Sequence, residues 1–183
     1  LFGAATLLRA FPAALLAGPL LGAGAEALRT RRLAPPRELR RLLAGALLAA
    51  AVLLPLSAAS GGAGAWLRFA AHIAHHSAVP AANTMGLRTL LSYTREGRFA
   101  VLLARPPDPG REWKERRRAA FAGRRALFAL VAGAYAVLLA VSAAGQPLWV
   151  AALLGTGLVP FALDGACYYS AFLAAWGLLW LRS

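Results

Sequence analysis

The sequence predicts an all-α, polytopic integral membrane protein. Of its 183 residues, 60% are apolar and only 15% are charged, whereas a soluble domain has roughly 45–50% apolar and about 25% charged residues. A net charge of +13 accompanies this apolar excess. Apolar helices joined by charged loops reconcile the two properties. A disordered basic tail is excluded, because such segments lack apolar residues, and a nucleic-acid-binding domain would explain the charge but not the hydrophobicity.

Basic residues are concentrated in two segments, 26–41 and 94–125, and all of them except Lys114 are arginine. The positive-inside rule predicts that both segments are cytoplasmic loops, with a short charged helix from Glu112 onward. We expect these arginines to anchor anionic lipid headgroups in a bacterial cytoplasmic (inner) membrane, and we expect no nucleic-acid partner. The basic residues outside the two segments are Arg9, Arg68, Arg88 and Arg182.

About five apolar segments are predicted to form hydrophobic helices in a single membrane-embedded unit. The stretch 148–181 is too long for one span, so we expect two helices that fold back near Pro160, Asp164 and Gly165. The first segment has a rival interpretation as a signal peptide. Because the chain starts at Leu1 and is apolar from the outset, we expect it to be a fragment with further helices, or other membrane subunits, as partners. The predicted helices are 1–24, 42–59, 126–144, 148–163 and 166–181.

Residues 63–79 have the spacing of an amphipathic helix. Trp66, Phe69 and Ile73 fall on one face of it. Such a helix belongs at the membrane–water interface or beside a polar cavity. Since both basic segments should lie on one side of the membrane, we expect the region 63–93 to return through it as a weak span or a re-entrant hairpin. The opposite face carries Arg68, His72, His75 and His76.

The three histidines have the spacing of a histidine box. His72 and His76 are one turn apart, which suits two ligands of one metal ion. The spacing resembles one box of the membrane di-iron desaturases and hydroxylases, which need several such boxes. This chain has 3 histidines in all, so no metal site is predicted and the cofactor is unknown. The plainer interpretation is a row of interfacial polar side chains, and an intermediate one is an anion-binding cluster beside Arg68.

The leading hypothesis is the C-terminal part of a membrane enzyme that acts on a lipid or lipid-linked anionic substrate. Arg68 would neutralise the charge of the substrate, and a histidine would serve as the general base, since imidazole exchanges protons near neutral pH. The candidate catalytic residues are His72, His75 and His76. The candidate substrate-binding residues are Arg68, Asn83 and Asp164.

Two other functions remain open at this point. A transporter segment would use a helix broken at Pro160–Gly165, with Asp164 as an ionisable group at the membrane midplane. The same aspartate would equally serve as an N-cap of the last helix. A structural membrane subunit would use none of these residues for chemistry.

Overall fold

The computed structural model describes residues 14–32, 34–62, 64–78, 84–94, 109–162 and 165–182. These residues are mostly helical, which confirms the all-α class. The α-helices are α1 (Ala14–Thr30), α2 (Arg37–Gly61), α3 (Ala65–Ala78), α4 (Leu87–Ser92), α5 (Pro109–Ala122), α6 (Arg125–Ala143), α7 (Leu148–Gly155) and α8 (Leu158–Ala162). A two-stranded antiparallel sheet joins β1 (Thr84–Met85) to β2 (Gly165–Ala166), and a 3₁₀ helix follows over Cys167–Arg182.

The first basic segment is more helical than a loop interpretation predicts, and the second contains the charged helix that the sequence predicts from Glu112 onward. The first segment contributes the end of α1 and the start of α2. The non-helical connection between these helices is therefore short and contains Pro35 and Pro36. Proline restricts the residue before it to extended backbone, which explains why the break falls there. The second segment contains α5, which carries ion pairs between Arg111 and Glu115 and between Arg116 and Glu112. Pairs at this spacing favour an isolated charged helix.

The core of the fold is the close packing of α1 against α6 and α7. Gly18 and Gly22 are buried on α1, together with Pro19, which lies inside the helix. A Cβ atom on Gly18 would overlap the carbonyl oxygen of Ala151, and one on Gly155 would lie 2.6 Å from the Gly18 amide nitrogen. Backbones that approach this closely through small residues are typical of helix pairs in membranes.

The C-terminal apolar region is first interrupted earlier than the sequence predicts. The first break lies at Thr156 and Gly157, between α7 and α8. Pro160 lies in the first turn of α8. An N–H group in the first turn has no intrahelical acceptor, so proline, which lacks this group, is tolerated there. Residue 164 lies outside the described residues. α8 ends at Ala162, and Gly165 pairs with Met85 before the 3₁₀ helix begins.

Two of the described helices are long and apolar enough to cross a membrane. These candidate spans are α2, with 25 residues, and α6, with 19 residues, and both have a mean hydropathy of 2.3. They correspond to the predicted segments 42–59 and 126–144. In the most apolar 18-residue stretch of α2 no residue is buried, and in the corresponding stretch of α6 only 11% of the residues are buried. The core helix of a soluble protein would be mostly buried, so the protein itself does not cover these surfaces. Five spans are not seen in the described part of the chain.

Candidate functional site

The amphipathic segment forms α3 and is attached to the end of α2 through Trp66. The indole Nε1 of Trp66 donates a hydrogen bond of 2.7 Å to Ser57 Oγ. The ring of Phe69 meets the Trp66 ring edge-on, with centroids 5.7 Å apart. Between the helices Gly62 has a φ of 82°, a left-handed conformation that glycine adopts without strain. The aromatic face of α3 therefore sets the direction in which the helix leaves α2.

Arg68 and His72 lie one turn apart on α3, and both are exposed. The guanidinium Nη2 of Arg68 donates to the Gly61 carbonyl oxygen at 3.4 Å. This contact satisfies one of the carbonyl groups that the end of α2 leaves without an intrahelical partner. Arg68 therefore has a structural role at the α2–α3 turn that its sequence pattern did not indicate.

The structure tests only part of the predicted site. His75 and His76 belong to α3, but their side chains lie outside the described residues, as do Asn83 and Asp164. β1 begins directly after Asn83 and β2 directly after Asp164, so the sheet joins the segments that follow these two residues. Among the described residues, no group of three or more His, Cys, Asp and Glu side chains is placed to hold a metal ion.

Arg117 fixes α5 against α4. Its side chain is buried, its Nε donates to Ser92 Oγ at 3.0 Å, and its guanidinium lies over the Trp113 ring, 4.8 Å from the centroid. A stacked and hydrogen-bonded guanidinium of this kind holds two helices in a set orientation. The sequence interpretation, which assigned the arginines of 94–125 to topology and lipid contact, missed this role.

Arg124 and Arg88 complete the contact between α4 and the α5–α6 turn. Arg124 Nη1 donates to the carbonyl oxygens of Leu91 at 2.8 Å and Tyr93 at 3.3 Å. These carbonyls lie at the C-terminus of α4, where a cation is favourable. The Arg88 guanidinium lies over the Phe121 ring at 4.8 Å. No local sequence signal reveals these contacts, because they join residues far apart in the chain.

Replacing Arg117 with leucine is expected to destabilise the protein by about 1–2 kcal/mol, because Ser92 Oγ loses the N–H that donates to it and Trp113 loses its stacked cation. The matched control is Arg116→Leu on the same helix, which removes an exposed ion pair with Glu112 and should cost at most about 0.5–1 kcal/mol. Unfolding of the detergent-solubilised protein by a harsher detergent, followed by circular dichroism, measures both. Equal effects of the two variants would contradict the assigned role of Arg117.

A cavity of about 500 Å³ lies where α1, the start of α2 and the α6–α7 connection meet. Its acidic groups are Glu26 and Glu38. Glu26 accepts hydrogen bonds of 2.9 and 3.1 Å from Arg29 Nη2, and this hydrogen bond raises the pKa of Arg29. The remaining lining is mostly small and apolar. The lining residues are Pro19, Gly22, Ala23, Glu26, Pro36, Glu38, Leu39, Ala143, Gly145, Gln146, Pro147, Leu148 and Ala151.

At the break between α7 and α8, side chains hydrogen-bond to the backbone carbonyl of Leu153. Thr156 Oγ1 donates to the Leu153 carbonyl oxygen at 2.7 Å. The indole of Trp176 donates to the same carbonyl and to Thr156 Oγ1, both at 2.9 Å. Transporter sites at broken helices use carbonyl groups left open for the ion. Here the Leu153 carbonyl is already hydrogen-bonded, so the break at Thr156 does not favour a transport site.

Comparison of the chain with known protein families, with curated protein sequences and with solved structures finds no match. The features that bear on function are the helix pair α2–α3, the arginine contacts around α5 and the exposed apolar helices.

Proposed function

We propose that the chain is part of a polytopic protein of the bacterial cytoplasmic membrane, where it acts as an enzyme on a lipid or lipid-linked anionic substrate. The observation that carries this proposal is the pair of helices α2 and α3. An apolar helix with no buried residue in its most apolar window leads through a glycine turn into an amphipathic helix that presents Arg68 and His72.

The exposed surface of α2 supports the location. Leu47 is 71% exposed, Leu48 67% and Leu56 61%. Leaving a leucine in water rather than burying it costs about 1.5–3 kcal/mol, so a row of exposed leucines favours a hydrocarbon surrounding. With α2 in the bilayer, the aromatic pair at the start of α3 lies at the depth where tryptophan is enriched.

The polar face of α3 supports the chemistry. A guanidinium binds phosphate and carboxylate groups through paired N–H donors, and Arg68 would therefore hold the anionic part of the substrate. His72 lies one turn further along the same helix, and an imidazole takes up and releases protons near neutral pH. In this arrangement the substrate keeps its apolar chains in the bilayer while its headgroup reaches both side chains.

Cysteine labelling tests the location of α2, α3 and α6. In a Cys167→Ser background reconstituted into vesicles, a cysteine in place of His72 should react with a membrane-impermeant maleimide. A cysteine in place of Leu48 or Val137 should react at least about tenfold more slowly until detergent is added, because hydrocarbon excludes both the reagent and the thiolate. Equal rates at the three positions would refute the proposal.

Turnover tests the chemistry. In vesicles of bacterial total lipid extract, the protein is expected to convert one anionic lipid, detected by mass spectrometry. His72→Ala should lower that rate by about 10²-fold or more, and Leu67→Ala, on the same helix, should leave it unchanged. If no lipid is converted by the unmodified protein, the enzymatic part of the proposal is wrong, whatever the labelling experiment shows.

A further inference from the structure

The candidate span α6 provides a ruler for the sides of the membrane, because each of its ends is packed against a different part of the chain. α6 has 19 residues, so it is about 28 Å long at 1.5 Å per residue. This length is close to the roughly 30 Å hydrocarbon core of a bilayer. Segments packed at its two ends therefore lie on opposite faces of a membrane that α6 crosses.

The C-terminal end of α6 is packed against the segment 26–41. A Cβ atom on Gly22 of α1 would lie 2.7 Å from the carbonyl oxygen of Ala143, the last residue of α6. Glu26, one turn further along α1, lines the cavity of about 500 Å³ together with Ala143 and the α6–α7 connection. Leu39, in the first turn of α2, lines the same cavity and is only 3% exposed. The connection between α1 and α2 therefore lies at this end of α6.

The N-terminal end of α6 is packed against α4 and α5. Only Gly123 and Arg124 separate α5 from α6. Arg124 Nη1 donates a hydrogen bond of 2.8 Å to the Leu91 carbonyl oxygen at the end of α4. The Nε of Arg117 on α5 donates to Ser92 Oγ of α4 at 3.0 Å. Both helices are therefore held at the end of α6 that is opposite to the segment 26–41.

The return of the chain through α7 and α8 agrees with this arrangement. The ring of Phe161 on α8 stacks on the ring of Tyr135, with centroids 4.0 Å apart. Tyr135 lies about 12 Å along α6 from Ala143 at the helical rise per residue, so α7 and α8 run from the C-terminal end of α6 toward its N-terminal end. α8 there contacts α4, and β2 pairs with β1, which directly precedes α4.

The direction of α2 places α3 on the same side as α5. α2 starts beside the C-terminal end of α6 and its 25 residues extend about 37 Å. When α2 crosses the bilayer, Gly61 at its end lies on the opposite face, where α4 and α5 are held. α3 has 14 residues and a length of about 21 Å, which is less than the hydrocarbon core. The return through the membrane that the sequence predicts for 63–93 is then not needed.

We propose that the segment 26–41 and the helix α5 lie on opposite faces of the membrane, and that Arg68 and His72 work on the face of α5, which is cytoplasmic. The positive-inside rule assigns the face with more basic residues to the cytoplasm. Ten basic residues lie in 94–125 and six in 26–41, and Arg68 and Arg88 add to the larger group. The lipid substrate of the proposed enzyme therefore presents its headgroup in the cytoplasmic leaflet.

Sided labelling of the full chain in bacterial spheroplasts tests this arrangement. Single cysteines replace Ala34, His72 or Ala119 in the Cys167→Ser background. Ala34 and Ala119 are exposed and uncharged, so neither substitution alters the distribution of basic residues. A membrane-impermeant maleimide should label the cysteine at Ala34 at least about tenfold faster than the other two until detergent is added, because a charged reagent does not cross hydrocarbon.

Three results would overturn parts of the proposal. Equal labelling at Ala34 and Ala119 would place both basic segments on one face. Labelling of His72 together with Ala34 would remove α3 from the face of α5. Labelling of His72 and Ala119 with protection of Ala34 would reverse the cytoplasmic assignment and, with it, the leaflet of the substrate.

This inference rests on the proposed membrane location of α2 and α6, and the cysteines at Leu48 and Val137 separate the two. If both are protected from maleimide in vesicles while Ala34 and Ala119 are labelled alike in spheroplasts, only the sidedness is wrong. If both react as fast as the cysteine in place of His72, the helices are not in the bilayer and both proposals fail. Lipid turnover by the reconstituted protein tests the enzymatic role independently of sidedness.

Discussion

Gly18→Leu is expected to destabilise the helical core by about 3 kcal/mol or more. Any side chain at this position would overlap the Ala151 carbonyl group on α7, and the nearest atom of Gly155 is its backbone nitrogen. Backbone atoms cannot rotate away as a side chain can, so the two helices have to separate. Overpacking in a tight contact typically costs 1–3 kcal/mol and sometimes more, and separation of α1 from α7 also exposes the contact between α1 and α6.

Gly24→Leu is the matched control, because it adds the same side chain to the same helix. No atom lies within 4 Å of a Cβ placed on Gly24. Leucine is a better helix former than glycine by roughly 0.5–1 kcal/mol, so this variant should be slightly more stable than the unmodified protein. Detergent-induced unfolding followed by circular dichroism measures both changes. If the two variants are affected alike, α1 and α7 are not in close contact.

The long apolar helices and the amphipathic helix were predictable from the sequence because their signals are local. A window of uncharged residues predicts α2 and α6, and the helical period of Trp66 and Phe69 predicts α3. In each case the physical cause of the element, apolar length or one-sided polarity, is contained within the element itself.

The packing of these helices was not predictable in the same way. The spacing of Gly18 and Gly22 was a readable signal for a close helix contact, but nothing in it identifies Ala151 and Gly155 as the opposite surface. The break between α7 and α8 falls at Gly157 and not at the nearby Pro160, because proline in a first turn is harmless. A Cβ on Gly157 would lie 2.7 Å from the Trp176 ring, so tertiary packing selects this glycine.

The residues of the candidate site also fall into two groups, those that a local pattern predicts and those whose partners are distant in the chain. One-turn spacing predicts that Arg68 and His72 share a helix face, and both residues are exposed on α3. The structural arginines were missed because their partners are distant: Arg117 contacts a serine 25 positions away and Arg124 a carbonyl 33 positions away. A composition rich in arginine therefore hides a structural role, because Arg117 and Arg124 hold helices together through partners that no local pattern reveals.

Leu48→Arg is expected to prevent α2 from crossing the membrane. Leu48 lies near the middle of α2 and is 67% exposed in the structure. In a water-soluble protein, such a change at an exposed position would alter stability by no more than about 0.5 kcal/mol. At the centre of a membrane helix an arginine instead costs about 2.5–3.5 kcal/mol, which shifts the insertion equilibrium by about two orders of magnitude. The fraction of chains in which α2 spans is measured by glycosylation tags placed on either side of the helix during membrane insertion.

Leu28→Arg isolates the effect of position, because the same substitution is made at an even more exposed leucine. Leu28 is 86% exposed and lies in the last turns of α1, beside Arg29 and the connection to α2. An additional arginine there joins a basic segment expected at the membrane surface, where its charge stays hydrated and attracts anionic lipid. Insertion of α2 should therefore be unchanged by Leu28→Arg and lost with Leu48→Arg. Since the protein buries neither leucine, only a hydrocarbon surrounding distinguishes the two sites, and equal behaviour of the variants would place α2 in water.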